Sequence, residues 1–159
     1  VIEKYKIWSS YEVESPGVPI AYTTVYGNTR NAVLRLAEVL KEKGCPKVVI
    51  ADLARDDIHE TVEDAFRYGK VILATTTYNS GIFPYMRQFI DHLVSRNYQN
   101  RKIGFLENGT WAPMAAKSMK SMLEGLKNIS FCGNVVTIKG ALKAADDESL
   151  GKLADEILL

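Results

Sequence analysis

Five short runs of apolar, mostly β-branched residues are each followed by a helical repeat, and that alternation leaves few folds open. The runs are Val18-Pro19-Ile20-Ala21-Tyr22, Val48-Val49-Ile50-Ala51, Val71-Ile72-Leu73-Ala74, Ile103-Gly104-Phe105-Leu106 and Val135-Val136-Thr137-Ile138. After them, apolar residues recur at helical spacing. The first set is Val33, Leu36, Ala37 and Leu40; the second Ile58, Val62, Ala65 and Phe66; the third Met86, Phe89, Ile90 and Leu93. The fourth is Ala115, Met119, Met122, Leu123 and Leu126, and the last Leu150, Leu153, Ala154 and Ile157. Asp56 or Asp57 offers an N-cap to the second helix, and Asp146 or Asp147 to the last. Gly44 and Gly69 supply helix stops, and Pro113 suits a first helical turn. Continuous apolar strands are expected where helices cover both faces of a sheet. The chain is therefore expected to be α/β, a doubly wound five-stranded parallel sheet with helices on both faces.

In such a sheet ligands bind beyond the carboxyl ends of the strands, where the strand order reverses. Three loops lie at that edge. The first, Thr24-Val25-Tyr26-Gly27-Asn28-Thr29, joins a strand to a helix N-terminus. There the first N–H groups have no acceptor within the helix and the dipole favours an anion, so a phosphate fits. The second, from Thr75 through Thr76, Thr77, Tyr78, Asn79, Ser80, Gly81, Ile82 and Phe83 to Pro84, is rich in hydroxyls and amides. So is the third, Glu107-Asn108-Gly109-Thr110-Trp111-Ala112-Pro113. Aromatic faces and backbone polar groups are what a flat heteroaromatic ring needs.

These loops resemble those of flavodoxin domains, whose phosphate loop runs Thr/Ser-x-Thr-Gly-x-Thr. Tyr26 stands where that pattern has a third-position hydroxyl. The Tyr-Gly-Asn-Thr variant, the Thr-Tyr-Asn loop followed by Phe-Pro, and Glu-Asn-Gly-Thr-Trp-Ala-Pro are together similar to one branch. That branch is the C-terminal flavodoxin-like domain of flavodiiron proteins, also called A-type flavoproteins. The resemblance covers residues 18–158 and implies the strand order 2-1-3-4-5 and the cofactor flavin mononucleotide (FMN). It implies phosphate contacts from Thr24, Val25, Tyr26, Gly27, Asn28 and Thr29. It places the ring near Thr76, Thr77, Tyr78 and Asn79 on one side and Asn108, Gly109, Thr110 and Trp111 on the other. It also implies a rubredoxin or similar small electron donor, an upstream diiron domain of metallo-β-lactamase type, and head-to-tail homodimers. On this reading residues 17–159 form the FMN domain. Residues 1–16, with Lys4-Tyr5 and Trp8-Ser9, are expected to be a linker from that upstream domain, and a start at Val1 rather than methionine fits a fragment or a trimmed product.

Simpler readings compete at several positions. Thr24 and Thr29 could serve only a turn and a cap, Trp111 and Tyr78 could be packing residues, and Phe83 reads as a core anchor for its loop. Met114, Met119 and Met122 read as ordinary packing, and His59 and His92 as surface residues without ligand spacing. Glu107 either tunes a cofactor or faces water, and both readings stay open. No side chain stands out as an acid, base or nucleophile. Cys45 and Cys132, without a Cys-x-x-Cys, suit no metal site between them. Their sparseness fits a reducing cytoplasm, with one disulfide left open. A net charge of +1 argues for neither nucleic acid nor a membrane surface, and no apolar run approaches a membrane span. A receiver domain of the same fold would need carboxylates where this chain has Tyr22-Thr23 and Ala74-Thr75. A nucleotide hydrolase would need a Gly-x-x-x-x-Gly-Lys-Ser/Thr loop. The remaining alternatives to a flavodiiron oxygen/nitric oxide reductase domain are a free-standing flavodoxin and an FMN-dependent NAD(P)H:quinone reductase.

Overall fold

The computed structural model describes residues 17–23, 28–78, 81–82, 84–99, 101–108, 115–138, 143 and 146–158. Its elements are β1 (Val18–Tyr22), α1 (Asn28–Glu42), β2 (Val48–Asp52), α2 (Ile58–Arg67), β3 (Lys70–Tyr78) and β4 (Gly81–Ile82). They continue with α3 (Pro84–Ser95), β5 (Arg101–Asn108), α4 (Ala115–Leu123), β6 (Ile129–Phe131), β7 (Val136–Ile138) and α5 (Asp146–Leu158). The sheet runs β2-β1-β3-β5-β6, with β7 also beside β5, and all these pairs are parallel. This is the 2-1-3-4-5 order, its fifth place shared by two short strands. The small β4 pairs antiparallel with the end of β3.

Side chains alternate between the two faces, as a strand requires. Ile20, Ile72, Leu106, Val136 and Ile138 meet α1 and α5 through Val33, Leu36, Leu40, Leu150, Leu153 and Ile157. Ala21, Val71, Leu73, Ile103 and Phe105 meet α2, α3 and α4 through Val62, Ala65, Phe89, Leu93, Met119 and Leu123. Gly104 lets α5 approach β5: a Cβ built there would lie 3.0 Å from Leu153 Cδ1. Surface ion pairs join α5 to α1 and to the turn that follows it, Arg35 to Asp147 at 3.1 Å and Lys43 to Asp155 at 2.9 Å.

Several boundaries depart from the sequence reading. Asp57, not Asp56, caps α2: its Oδ1 accepts from His59 N at 2.9 Å, while Asp56 Oδ2 accepts from Asp52 N. That helix ends on Tyr68 in an extended conformation, ahead of Gly69. Gly44, with φ +94°, ends the turn after α1 as expected. The fourth helix stops at Leu123 rather than Leu126, because Glu124-Gly125 follows and glycine is a poor helix former. Asp146 and Asp147 sit inside the first turn of α5. The proposed start of the fourth helix at Pro113, Phe83 as a loop anchor, Met114 and residues 1–16 lie outside the described residues.

The last strand is the main surprise. Ile103 pairs with Phe131, and Leu106 with Val136. Residues 104 and 105 of β5 thus face residues 132–135, and two extra residues break the ladder. Glu156 on α5 holds the break. Its carboxylate accepts from Gly133 N (2.8 Å), Asn134 N (2.8 Å) and Asn134 Nδ2 (3.0 Å). The backbone bonds from Gly133 and Asn134 hold this carboxyl below the usual glutamate range. A carboxyl depressed in the fold contributes stability above its unfolded pKa, about 4.3, and loses it as the pH falls below that value. The native chain is therefore expected to be more stable than Glu156→Gln at pH 7, with the gap closing below about pH 4. Chemical denaturation at the two pH values measures this, and a gap independent of pH would refute the assignment.

At the amino edge of the sheet the buried Arg101 joins α2 to β5. Nη2 donates to Phe66 O at 2.7 Å and Nη1 to Gln99 O at 2.9 Å, with the guanidinium 5.7 Å from the centre of the Tyr98 ring. Burial lowers the Arg101 pKa and raises that of the Tyr98 phenol, whose hydroxyl donates to Ala65 O.

Candidate cofactor site at the carboxyl edge of the sheet

Strand order reverses between β1 and β3, so the segments leaving those strands diverge and open a crevice. Register sets what meets there. Tyr22 pairs with Ala74, which puts Thr23 beside Thr75. Thr75 pairs with Glu107, and Thr76 with Asn108. Thr23 and Thr75 are buried with their hydroxyl oxygens 2.5 Å apart, and Asn108 is buried at the end of β5. Buried hydroxyls and amides at a strand-order reversal are a polar floor that an apolar core would not provide.

Helix charge divides the same edge. No acidic residue lies in the first turn of α1, α3 or α4, the helices that follow the three candidate loops. By contrast α2 carries Glu60 there, and α5 carries Asp146, Asp147 and Glu148. Among the three, α3 begins with Pro84, which has no N–H, and α4 already receives a carboxylate, since Glu107 Oε1 accepts from Ala116 N at 3.0 Å. That leaves α1, with Thr29 buried in its first turn, as the helix end suited to a phosphate. Arg30 in that turn hydrogen-bonds the Tyr22 phenol. Burial, aided by Asp52, still raises the Tyr22 pKa against the guanidinium's pull.

Of the residues expected at the site, Thr29 is buried in the first turn of α1 and Asn108 at the end of β5. The backbone of Asn28 opens α1, and that of Thr76, Thr77 and Tyr78 forms the end of β3, where Thr77 pairs with Ile82 and Tyr78 with Gly81. Thr24, Val25, Tyr26, Gly27, Asn79, Gly109, Thr110 and Trp111 lie outside the described residues. The sequence reading passes over Thr23 and names Thr75 only as the first residue of the second loop. Both follow directly after an apolar strand, and adjacency of the first and third strands was the signal that pairs them. Glu107 neither faces water nor stands free: it is buried, and Oε2 accepts from Thr137 Oγ1 at 2.8 Å.

Other features are separate from this edge. His59 is exposed, and its ring centre lies 5.5 Å from that of the half-buried His92 across α2 and α3. An open cavity of about 420 Å³ at the opposite edge is lined by Asn97, Tyr98, Gln99, Gly125, Leu126 and Lys127. Cys45 and Cys132 are free and buried, and burial pushes the Cys132 thiol up to about 11. Among the described residues no three His, Cys, Asp or Glu side chains group to hold a metal. No helix among them is long and apolar enough to cross a membrane.

The fit to FMN rests on the hydroxyl and amide floor beside a helix end without a first-turn carboxylate. When bound, FMN supplies the redox chemistry and the protein supplies binding and orientation. Comparison with known proteins agrees. The chain is 22% identical over 126 residues to the anaerobic nitric oxide reductase flavorubredoxin of Escherichia coli O1:K1 / APEC, covering 78% of this chain and 26% of that protein. It thus spans about a quarter of the length of the curated relatives it matches. The fold is similar to rubredoxin oxygen:oxidoreductase from Desulfovibrio gigas, with a TM-score of 0.89 and 23% identity over 98% of this chain and 38% of that one. It is similar to the flavodiiron protein from Giardia intestinalis, with a TM-score of 0.86 and 18% identity over 98% and 38%. Flavodoxin 1 from Bacillus cereus gives 0.75 and 15% identity over 89% and 97%. A family profile described as a flavodoxin domain matches residues 19–145. The chain belongs to the flavodoxin-domain family, and its cofactor is FMN.

Proposed function

We propose that this chain is the electron-transfer domain of a flavodiiron oxygen/nitric oxide reductase. In that role it takes electrons from a rubredoxin or similar small carrier and delivers them to a diiron site outside the chain. The observation that carries the site is the contact of buried Thr23 and Thr75 at the strand-order reversal, with buried Asn108 one strand further on at the end of β5 and buried Thr29 in the first turn of α1, a turn without a carboxylate. The first loop, from Thr24 to Thr29, then holds the phosphate. Thr76 to Asn79 and Asn108 to Trp111 wall the ring, exclude water and set its orientation. The flavodiiron assignment draws support from the named relatives and from a likeness that runs over more of this chain than the flavodoxin one does. Residues 1–16 serve in this reading as the link to a diiron domain, within a head-to-tail cytoplasmic homodimer. A free-standing electron carrier is the second reading, favoured by the match to nearly the whole of Flavodoxin 1.

The purified chain is expected to be yellow and to release one FMN on acid treatment. Flavin adenine dinucleotide in the extract, or no flavin after reconstitution, would sink the cofactor assignment. Reduced chemically, the chain is expected to consume nitric oxide catalytically only when a diiron partner domain is added. Rapid turnover by the chain alone would refute the division of labour and point to a self-sufficient flavoenzyme.

A further inference from the structure

We propose that Glu107 is a positioning residue for the ring end of the FMN site, and that through it the edge strand β7 influences flavin affinity. The proposal rests on the FMN reading above. Glu107 is the penultimate residue of β5 and precedes the buried Asn108. It lies beside Thr75 on one neighbouring strand and Thr137 on the other. One carboxylate oxygen accepts from Ala116 N in the first turn of α4, nine residues along the chain. The other accepts from the Thr137 hydroxyl, thirty residues along. A single buried side chain thus joins the end of β5, the start of α4 and the middle of β7.

The chemistry explains why an acid stands there. The first N–H groups of α4 have no acceptor within their helix, and a carboxylate satisfies one while complementing the helix dipole. Burial makes the arrangement specific, because an unmet donor there has no water to turn to. Removing the acid takes away a side chain that ties both the start of α4 and the Thr137 hydroxyl to the end of β5, and with it part of the frame around Asn108. Thr137 reaches the same frame from a solvent-exposed position. Its hydroxyl bonds Glu107 and it is not itself a candidate ligand residue, so substitution of its side chain reports the coupling through that carboxylate.

The test combines flavin titration with amide exchange of the apo chain. Glu107→Ala is expected to raise the Kd for FMN and for riboflavin by the same factor, about tenfold, because the ring and not the phosphate is affected. Ala116 amide exchange should quicken in the same variant. Glu107→Gln should restore both to near native values: its amide oxygen still accepts from Ala116 N, and its NH2 donates to Thr137 Oγ1. Thr137→Val should weaken riboflavin by about threefold, and Thr137→Ser should not. If Glu107→Ala does not fold, the Thr137 pair decides. Native affinity in Glu107→Ala and Thr137→Val, or a Gln variant as weak as the Ala variant, would overturn the proposal. A native chain that binds neither flavin would overturn the reading beneath it, a result distinct from native binding that the variants leave unchanged.

Discussion

Thr29→Val is expected to bind FMN about tenfold to a hundredfold more weakly than the native chain, with riboflavin affinity nearly unchanged. Thr29 lies buried in the first turn of α1, a turn without an acidic residue. A hydrogen bond to a charged group contributes roughly 1.5–3 kcal/mol, and each 1.4 kcal/mol is about tenfold in affinity. Riboflavin lacks the phosphate, so it does not sense the hydroxyl. Valine keeps nearly the same volume, which limits the disturbance to the helix. Fluorescence titration of the apo chain with each ligand measures the two constants. Equal losses would place Thr29 away from the phosphate. The contrast with Glu107→Ala, which should weaken both ligands alike, separates the two ends of the site.

Phe89→Ala is expected to destabilise the apo chain by about 3–5 kcal/mol, the usual range for emptying a buried aromatic position. Phe89 is wholly buried in the cluster where α2, α3 and α4 cover Val71, Leu73, Ile103 and Phe105. For a domain of this size that is a fall in Tm of about 6–20 °C. Val94 on the same helix is 38% exposed and provides the control, since Val94→Ala should change stability by no more than about 0.5 kcal/mol. Thermal unfolding of both variants decides it. Similar losses would mean that α3 does not face the core as described.

The sequence disclosed those elements whose physics is local. Val71-Ile72-Leu73-Ala74 reads as a strand because helices cover both of its faces and every residue is apolar. Leu36, Leu40, Phe89 and Leu93 stand out for the matching reason on helices, where spacing follows the buried stripe. Ile129–Phe131 was illegible for lack of such a pattern. It is three residues long, follows Asn128 at φ +54°, and its anchor is remote: Phe131 stacks on Phe105 with ring centres 5.8 Å apart. The site divides the same way. Thr29 and Asn108 stand out as candidates from strand–loop–helix order alone. The Thr23–Thr75 contact and the partners of Glu107 span 52, 9 and 30 residues, and only the register of the sheet and, for Ala116, the docking of α4 against β5 bring them together.

The broken last strand has a consequence for solubility. A sheet edge exposes unpaired backbone groups that invite a strand from another molecule, and proteins blunt such edges with short strands and bulges. At this edge an incoming strand finds three ladder residues in β6, an interruption pinned by Glu156, and three more in β7. Neither half is long enough to template a stable pairing. The opposite edge, β2, has no such break and carries Val48, Val49 and Ile50 in sequence. Intermolecular strand addition, when the chain is crowded or partly unfolded, is therefore directed to β2, and that is the edge on which a charged substitution would do most against aggregation.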